Sequence, residues 1–365
     1  MPAERDALLL FNLAMDTDEP ALGFATDWVN RLAAHFEQVD VITMRAGTVE
    51  TAPNVRVYSV GKERGFSERH RALEFYRLLQ ARLAVVEYTA CFAHMMPLFA
   101  VMGAPLLKVR GIPITLWYTH RQISRTLRLA LTVSRRVVTA APDSFPIATP
   151  KKRVLGHGID TAVFAPKTAA DTADPASADT TAVQVARISP IKHQATLIRA
   201  IATIPNIRAV FVGAALDEAG AAYRRQLEQL ARTVGVHERV TFAGGQDRLG
   251  VRDAMRGATV AVNLSPPGLF DKAALESMAV GTPTIVSSAS FDDLLGEYAS
   301  TLRIPDPEDD RALTGALRHV LGLSMPERKA VGRALRERVV ETHSLDRLIP
   351  RLVSVLRTGE MDSAL

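Results

Sequence analysis

Ser265-Pro-Pro-Gly-Leu-Phe-Asp-Lys-Ala-Ala-Leu-Glu-Ser-Met-Ala-Val-Gly-Thr-Pro-Thr-Ile-Val-Ser287 reads as a loop, a short helix and a buried strand in immediate succession. Two prolines and a glycine hold the loop open. Asp271 is placed at the helix N-cap, and Ala273 to Met278 are good helix formers. Gly281 ends the helix and Pro283 leads into the strand TPTIVS. A helix start presents unpaired N–H groups and a partial positive charge, which suits a phosphate or diphosphate. Lys272 lies in the first turn, an unfavourable place for a cation without an anion nearby. Glu276, one turn further on, shares its face. It is placed either to accept two hydroxyl hydrogen bonds, as from a ribose diol, or simply to pair with Lys272.

The same alternation of apolar run and helix-period segment extends outward in both directions. LLLFNLA, VDVITM, VRVYSV, the run ending at His94, IPITLWYT and RVVTAA read as strands, with helices over 23–35 and 67–83 among them. After residue 182 the pattern restarts with AVQVAR, RAVFVG, RVTFAGG, TVAVNL and TPTIVS. Such β–α alternation predicts parallel sheets covered on both faces. At 365 residues the chain is too long for one typical core. The expectation is α/β: two Rossmann-like, doubly wound domains facing a cleft. Residues 1–150 form the first and 183–340 the second. Residues 151–182 are a hinge and flexible linker, rich in Ala, Thr, Asp and Pro over 166–182. Residues 341–365 are a C-terminal helix that packs back on the first domain.

Composition narrows the class. One cysteine, Cys91, excludes an intrachain disulfide framework and a cysteine-rich metal site. The start of the chain has acids on both sides of a short apolar run, unlike a signal peptide, so cytoplasmic residence is expected. No charge occurs between Glu87 and Lys108, but Pro97, Gly103 and Pro105 interrupt that stretch. A strand followed by a helix opening at Pro97 explains it better than a membrane span. The net charge of +5 is uneven: residues 1–61 carry four arginines against nine acids, and 62–136 thirteen Lys or Arg against four. A basic band suits a phospholipid surface, a lipid-linked phosphate or nucleic acid, the last without any recognisable binding module.

Ligands of doubly wound sheets sit beyond the carboxyl ends of strands. Arg187 and Lys192 follow the strand AVQVA, a fork and a point charge suited to phosphate oxygens. His94 and His120 end strands of the first half and are expected to face the cleft, where a neutral imidazole offers one donor and one acceptor. Asp16-Thr17-Asp18 has the spacing of a D-x-D metal motif but follows the first strand. Asp16 and Asp18, with Glu19, are read as cleft-lining or solvated acids, and no metal is expected.

Four segments carry a family resemblance. VARISPIKHQATLIRAI (185–201), ALESMAVGTPTIVSS (274–288), VLGHGIDTAVFAP (154–166) and RIPDPEDDRALTGAL (303–317) resemble, in order and spacing, the GT-B glycosyltransferases. Within these the chain is similar to the large retaining family 4, and DEPALGF and LWYTHR extend the likeness into the first half. The resemblance implies a nucleotide-sugar donor, UDP- or GDP-linked, whose diphosphate is bound by Arg187 and Lys192. It implies that Glu276 takes the ribose hydroxyls and that the segment Phe270, Asp271, Lys272 and Ala273 holds sugar and phosphate. His120, Asp271, Arg187 and Lys192 then form the catalytic group, and His94, Asp16 and Asp18 line the acceptor side. The implied reaction retains the anomeric configuration, needs no metal or other cofactor, and serves a glycan or lipid-linked acceptor in surface-glycan synthesis. The family's glutamate pair is eight residues apart. Gly268 stands where the first would be, so Asp271 is expected to replace it in part. A sugar-nucleotide epimerase and a non-catalytic nucleotide- or glycan-binding relative are the competing readings.

Overall fold

The computed structural model describes residues 6–18, 23–168, 180–266 and 268–361. The chain divides into two compact units, residues 1–158 with 345–365, and residues 159–344. Most of the Ala/Thr/Asp-rich stretch expected as a linker, 169–179, lies outside the described residues, as do Glu19 and Pro267.

In the first unit the elements run β1 (Ala7–Asn12), α1 (Phe24–Ala33), β2 (Gln38–Thr43), β3 (Val55–Ser59), α2 (Glu68–Leu83), β4 (Ala90–His94), α3 (Pro97–Val109), β5 (Ile114–Trp117), α4 (Arg125–Val133), β6 (Arg136–Thr139) and β7 (Lys152–Val154). The strands form one parallel sheet in the order β3-β2-β1-β4-β5-β6-β7. Strand β1 shows why its sequence is continuously apolar. Leu9 and Phe11 pack with Phe75, Phe99 and Leu127 on one face, and Leu8 and Leu10 with Trp28, Leu32 and Leu352 on the other. Both faces are covered, so neither parity of the strand can be polar. Pro97 opens α3, as its place before an apolar run predicts. No described helix is long and apolar enough to cross a membrane. Cys91 is fully buried in this core, a filler.

The second unit runs β8 (Thr180–Val185), α5 (Gln194–Ala202), β9 (Ile207–Val212), α6 (Glu218–Thr233), β10 (Val240–Gly244), α7 (Arg248–Gly257), β11 (Val260–Asn263), α8 (Lys272–Ala279) and β12 (Thr284–Val286). Two four-residue helices, α9 (Asp292–Leu295) and α10 (Ala299–Leu302), precede α11 (Asp310–Gly322) and α12 (Met325–His343). Its parallel sheet is ordered β10-β9-β8-β11-β12. Asp217, Asp247 and Asp309 cap α6, α7 and α11, and Ser324 with Glu327 forms a reciprocal capping box on α12.

Three boundaries differ from the sequence reading. Residues 152–154, assigned to the hinge, are an edge strand of the first sheet. The second unit begins at Ile159 and keeps α12 to its end at His343, beyond residue 340. The terminal helix is α13 (Leu345–Thr358), and its stripe Leu348, Ile349, Leu352 and Val353 is buried in the first unit's core.

Candidate functional site at the carboxyl edge of the second sheet

The strand order of the second sheet reverses between β8 and β11, so the loops that follow these two strands diverge and leave a crevice. One loop is Ala186–His193 and the other Leu264–Asp271. Each brings a charged side chain to the same point. The Lys192 ammonium contacts the Asp271 carboxylate and lies 3.1 Å from Ser265 Oγ. Asp271 also accepts the Ser265 hydroxyl and, at 3.3 Å, Asn263 Nδ2. The two charged side chains are 16% and 23% exposed, a largely desolvated pair still open to solvent on one side. Burial by itself would raise the Asp271 carboxyl. The Lys192 charge and the hydrogen bonds from Lys192, Ser265 and Asn263 outweigh it and hold the group below the usual carboxylate range.

Two glutamines shape the cationic loop. Gln184, buried inside β8, donates from Nε2 to the Lys192 carbonyl at 2.6 Å. Gln194, fully buried at the start of α5, donates to the Arg187 carbonyl at 3.0 Å. His193 joins them with a left-handed backbone, φ +50°, and its Nδ1 lies 3.6 Å from Glu308. The loop is thus pinned at both ends from beneath. Among the described residues, the remaining side-chain oxygens of Gln184, Gln194 and Asn263 are buried without a hydrogen-bond partner. This edge therefore has unused acceptors as well as charge.

Helix α8 supplies the other wall. Its far end follows the sequence reading: Gly281 has φ +81°, its N–H bonds the Met278 carbonyl, and the Thr282 N–H reaches back to Ser277. Its near end does not. Asp271 occupies the N-cap position but makes no side-chain cap bond, because its carboxylate is committed to Lys192. The first-turn N–H groups of α8 are left without that cap. Lys272 and Glu276 pair across one turn at 3.3 Å, with Glu276 only 12% exposed. Phe270 turns its ring away from this work, stacked on Phe291 at 4.5 Å and against His343 at 5.0 Å, which anchors the loop before the helix.

Of the expected site residues, the structure brings Lys192, Asp271, Lys272, Ala273 and Glu276 to one edge of the second sheet. Arg187 starts the same loop, exposed, with no ion pair among the described residues. The first unit differs. His94 does not line an open surface. It is 6% exposed, stacked on Trp28 at 4.8 Å and flanked by Phe92 and Trp117. Its place is that of a ring in an aromatic cluster rather than at the open edge expected from the sequence. Asp16 accepts the N–H groups of Asp18 and Thr48, each at 3.2 Å, and so ties two loops together; Asp18 is exposed. His120 is exposed in the loop after β5. Among the described residues, no three His, Cys, Asp or Glu side chains gather as a metal site.

The sequence reading missed Asn263, Ser265, Gln184 and Gln194. A polar residue inside or ending an apolar strand, as in AVQVA and VAVN, was the available signal.

Residues 170–338 match the family of glycosyl transferases group 1. That stretch runs from the segment before β8 into α12 and contains every residue of the Lys192–Asp271 cluster. The D-inositol 3-phosphate glycosyltransferase of Mycobacteroides abscessus is 34% identical over 169 residues, 43% of this chain and 37% of that protein. Its counterpart from Mycolicibacterium gilvum is 34% identical over 140 residues, 37% and 31% respectively. The chain thus matches about a third of the length of these curated relatives. Over nearly the whole chain the likeness is structural. Sucrose-phosphate synthase from Thermosynechococcus elongatus aligns with TM-score 0.77 and 20% identity, covering 97% of this chain and 99% of that one. Anabaena HepE, solved in complex with UDP and glucose, aligns with TM-score 0.76 and 16% identity over 96% and 99%. At these identities the likeness is one of fold: two parallel-sheet α/β Rossmann-like domains, as in GT-B glycosyltransferase structures.

Proposed function

We propose that this chain is a glycosyltransferase that moves a sugar from a nucleoside diphosphate to an acceptor with retention at the anomeric carbon. The observation that carries the reading is the meeting of Lys192 with the uncapped start of α8 at the strand-order reversal, inside the group 1 match. In this reading the donor diphosphate lies against Lys192 and the first-turn N–H groups of Lys272 and Ala273, with the Arg187 fork closing from the exposed side. Asp271 holds the Lys192 ammonium in place, and diphosphate oxygens share that ammonium with it. Glu276 takes the ribose hydroxyls at the expense of its contact with Lys272, which is freed toward phosphate. Negative charge developing on the departing diphosphate is met by these cations and N–H groups, a scheme that requires no metal. A donor phosphate oxygen receives the acceptor proton, so no protein base is assigned. Of the two histidines, His120 is the one left open to sugar hydroxyls.

UDP is the first nucleotide to test, followed by GDP. The acceptor is read as a glycan or a lipid-linked sugar presented at the cytoplasmic face of a membrane. Incubation with labelled UDP- and GDP-sugars tests the reading: release of nucleoside diphosphate, with transfer or slow hydrolysis, is expected. Conversion to an isomeric nucleotide sugar would make the chain an epimerase. Tight nucleotide binding without turnover would make it a non-catalytic relative, the outcome that Gly268 in place of the family's glutamate favours. The anomeric configuration of product, read by NMR, tests retention.

A further inference from the structure

From Tyr88 to Pro142 the chain contains no Asp or Glu and seven Lys or Arg. Within this acid-free run α3 and α4 pack against each other on one face of the first unit's sheet. On α4 the residues Arg125, Arg128, Leu129, Thr132 and Val133 are exposed, an i, i+3, i+4, i+7, i+8 stripe that mixes cations with apolar groups. On α3 the exposed stripe is Leu98, Pro105, Lys108 and Val109, with Val109 86% exposed. Between the two helices lies a cavity of about 610 Å³. Val101, Ala104, Ile112 and Val133 line it, and Lys108 and Arg135 stand beside them.

Some of the charge is already engaged. Arg136 pairs with Glu360, and Arg135 donates to the Thr358 carbonyl at 2.6 Å. Lys108, Arg125 and Arg128 have no ion pair among the described residues, and they point the balance of this face positive. The same face of a second copy would meet it with the same sign. Nucleic acid would meet its cations but leave Leu98, Val109, Leu129 and Val133 in water. A surface that offers anionic headgroups above acyl chains satisfies both components at once.

We infer that the α3–α4 face docks on an anionic phospholipid bilayer, with Lys108, Arg125 and Arg128 on the headgroups, Val109, Leu129 and Val133 at the acyl boundary, and the cavity taking an acyl chain. The inference does not depend on the sugar-transfer reading and concerns a different part of the chain. It fits a single amphipathic contact of reversible strength, since no described helix spans a membrane.

Co-sedimentation with vesicles tests it, using phosphatidylglycerol mixed with phosphatidylcholine against phosphatidylcholine alone. The wild-type protein is expected to partition onto the anionic vesicles only, less so as salt rises. Arg125→Glu with Arg128→Glu should weaken partition by more than tenfold, at about fivefold per lost cation. Leu129→Ser with Val133→Ser should weaken it severalfold at unchanged charge. Both pairs are at exposed positions, and an unchanged thermal midpoint verifies folding. In a Val133→Trp variant, brominated acyl chains should quench the added fluorescence. Equal partition onto neutral vesicles, no partition at all, indifference to the charge reversal, absence of quenching, or binding to duplex or single-stranded RNA in place of vesicles would each overturn the inference.

Discussion

The two sheets reverse their strand order in the same way, the first between β1 and β4 and the second between β8 and β11, yet their carboxyl edges are built from opposite materials. At the second, an ammonium, a carboxylate, a hydroxyl and an amide converge in a half-open crevice. At the first, the end of β4 is closed by Trp28, His94 and Trp117 in mutual ring contact, and the acid after β1 is spent on backbone N–H groups. One architecture thus yields a charge-dense, exchangeable edge and an apolar, locked one. The lesson is that position at a switch point makes a site available, and the side chains brought there from other elements decide whether it is used.

The comparison can be broken at its locked side first. Trp28→Ala removes a ring stacked at 4.8 Å on His94 and set edge-on at 4.8 Å to Trp117. The expected cost is about 3–5 kcal/mol of the first unit's stability, measured by urea unfolding, with nucleotide affinity unchanged. A large loss of affinity with little loss of stability would make that edge functional instead. Next comes Lys192→Ala, which leaves Asp271 largely buried without its cation. A loss of about 2 kcal/mol is expected, less than for a fully buried pair because both ends reach solvent. Adding Asp271→Ala should restore most of it.

A smaller, pH-limited effect follows from the depressed Asp271 carboxyl. Its pKa in the folded chain lies below its unfolded value, so the pair's contribution is complete above about pH 4 and is lost as pH falls through the folded value. Acid titration of stability should therefore be shallower in Asp271→Asn than in the wild type. The smallest stability effect belongs to Arg187→Ala, within about 0.5 kcal/mol since the side chain is exposed. Its nucleotide affinity should nonetheless fall about tenfold in calorimetry.

Much of this was legible in the sequence, and the exceptions share a cause. The apolar runs located the strands of both sheets, because a parallel sheet covered on both faces leaves no other pattern for them. Gly281 marked the end of α8 by local backbone geometry alone. Two features depended on distant partners instead, and a third was too short to register. Asp271 sits where local rules make it a cap, but a lysine 79 positions away offers a stronger partner than a backbone N–H. His94 ends its strand as expected, and is closed off by a tryptophan from α1. Strand β7 is three half-exposed residues at a sheet edge, too short for any period to register.

Calorimetric titration of UDP into the Lys192→Ala/Asp271→Ala double variant bears most directly on the nucleotide site, since removing both charges keeps the fold while deleting the proposed phosphate contact. At least thirtyfold weaker binding than in the wild type is expected, with the thermal midpoint nearly unchanged. Equal affinity in the two proteins would contradict the assignment of this edge to a diphosphate.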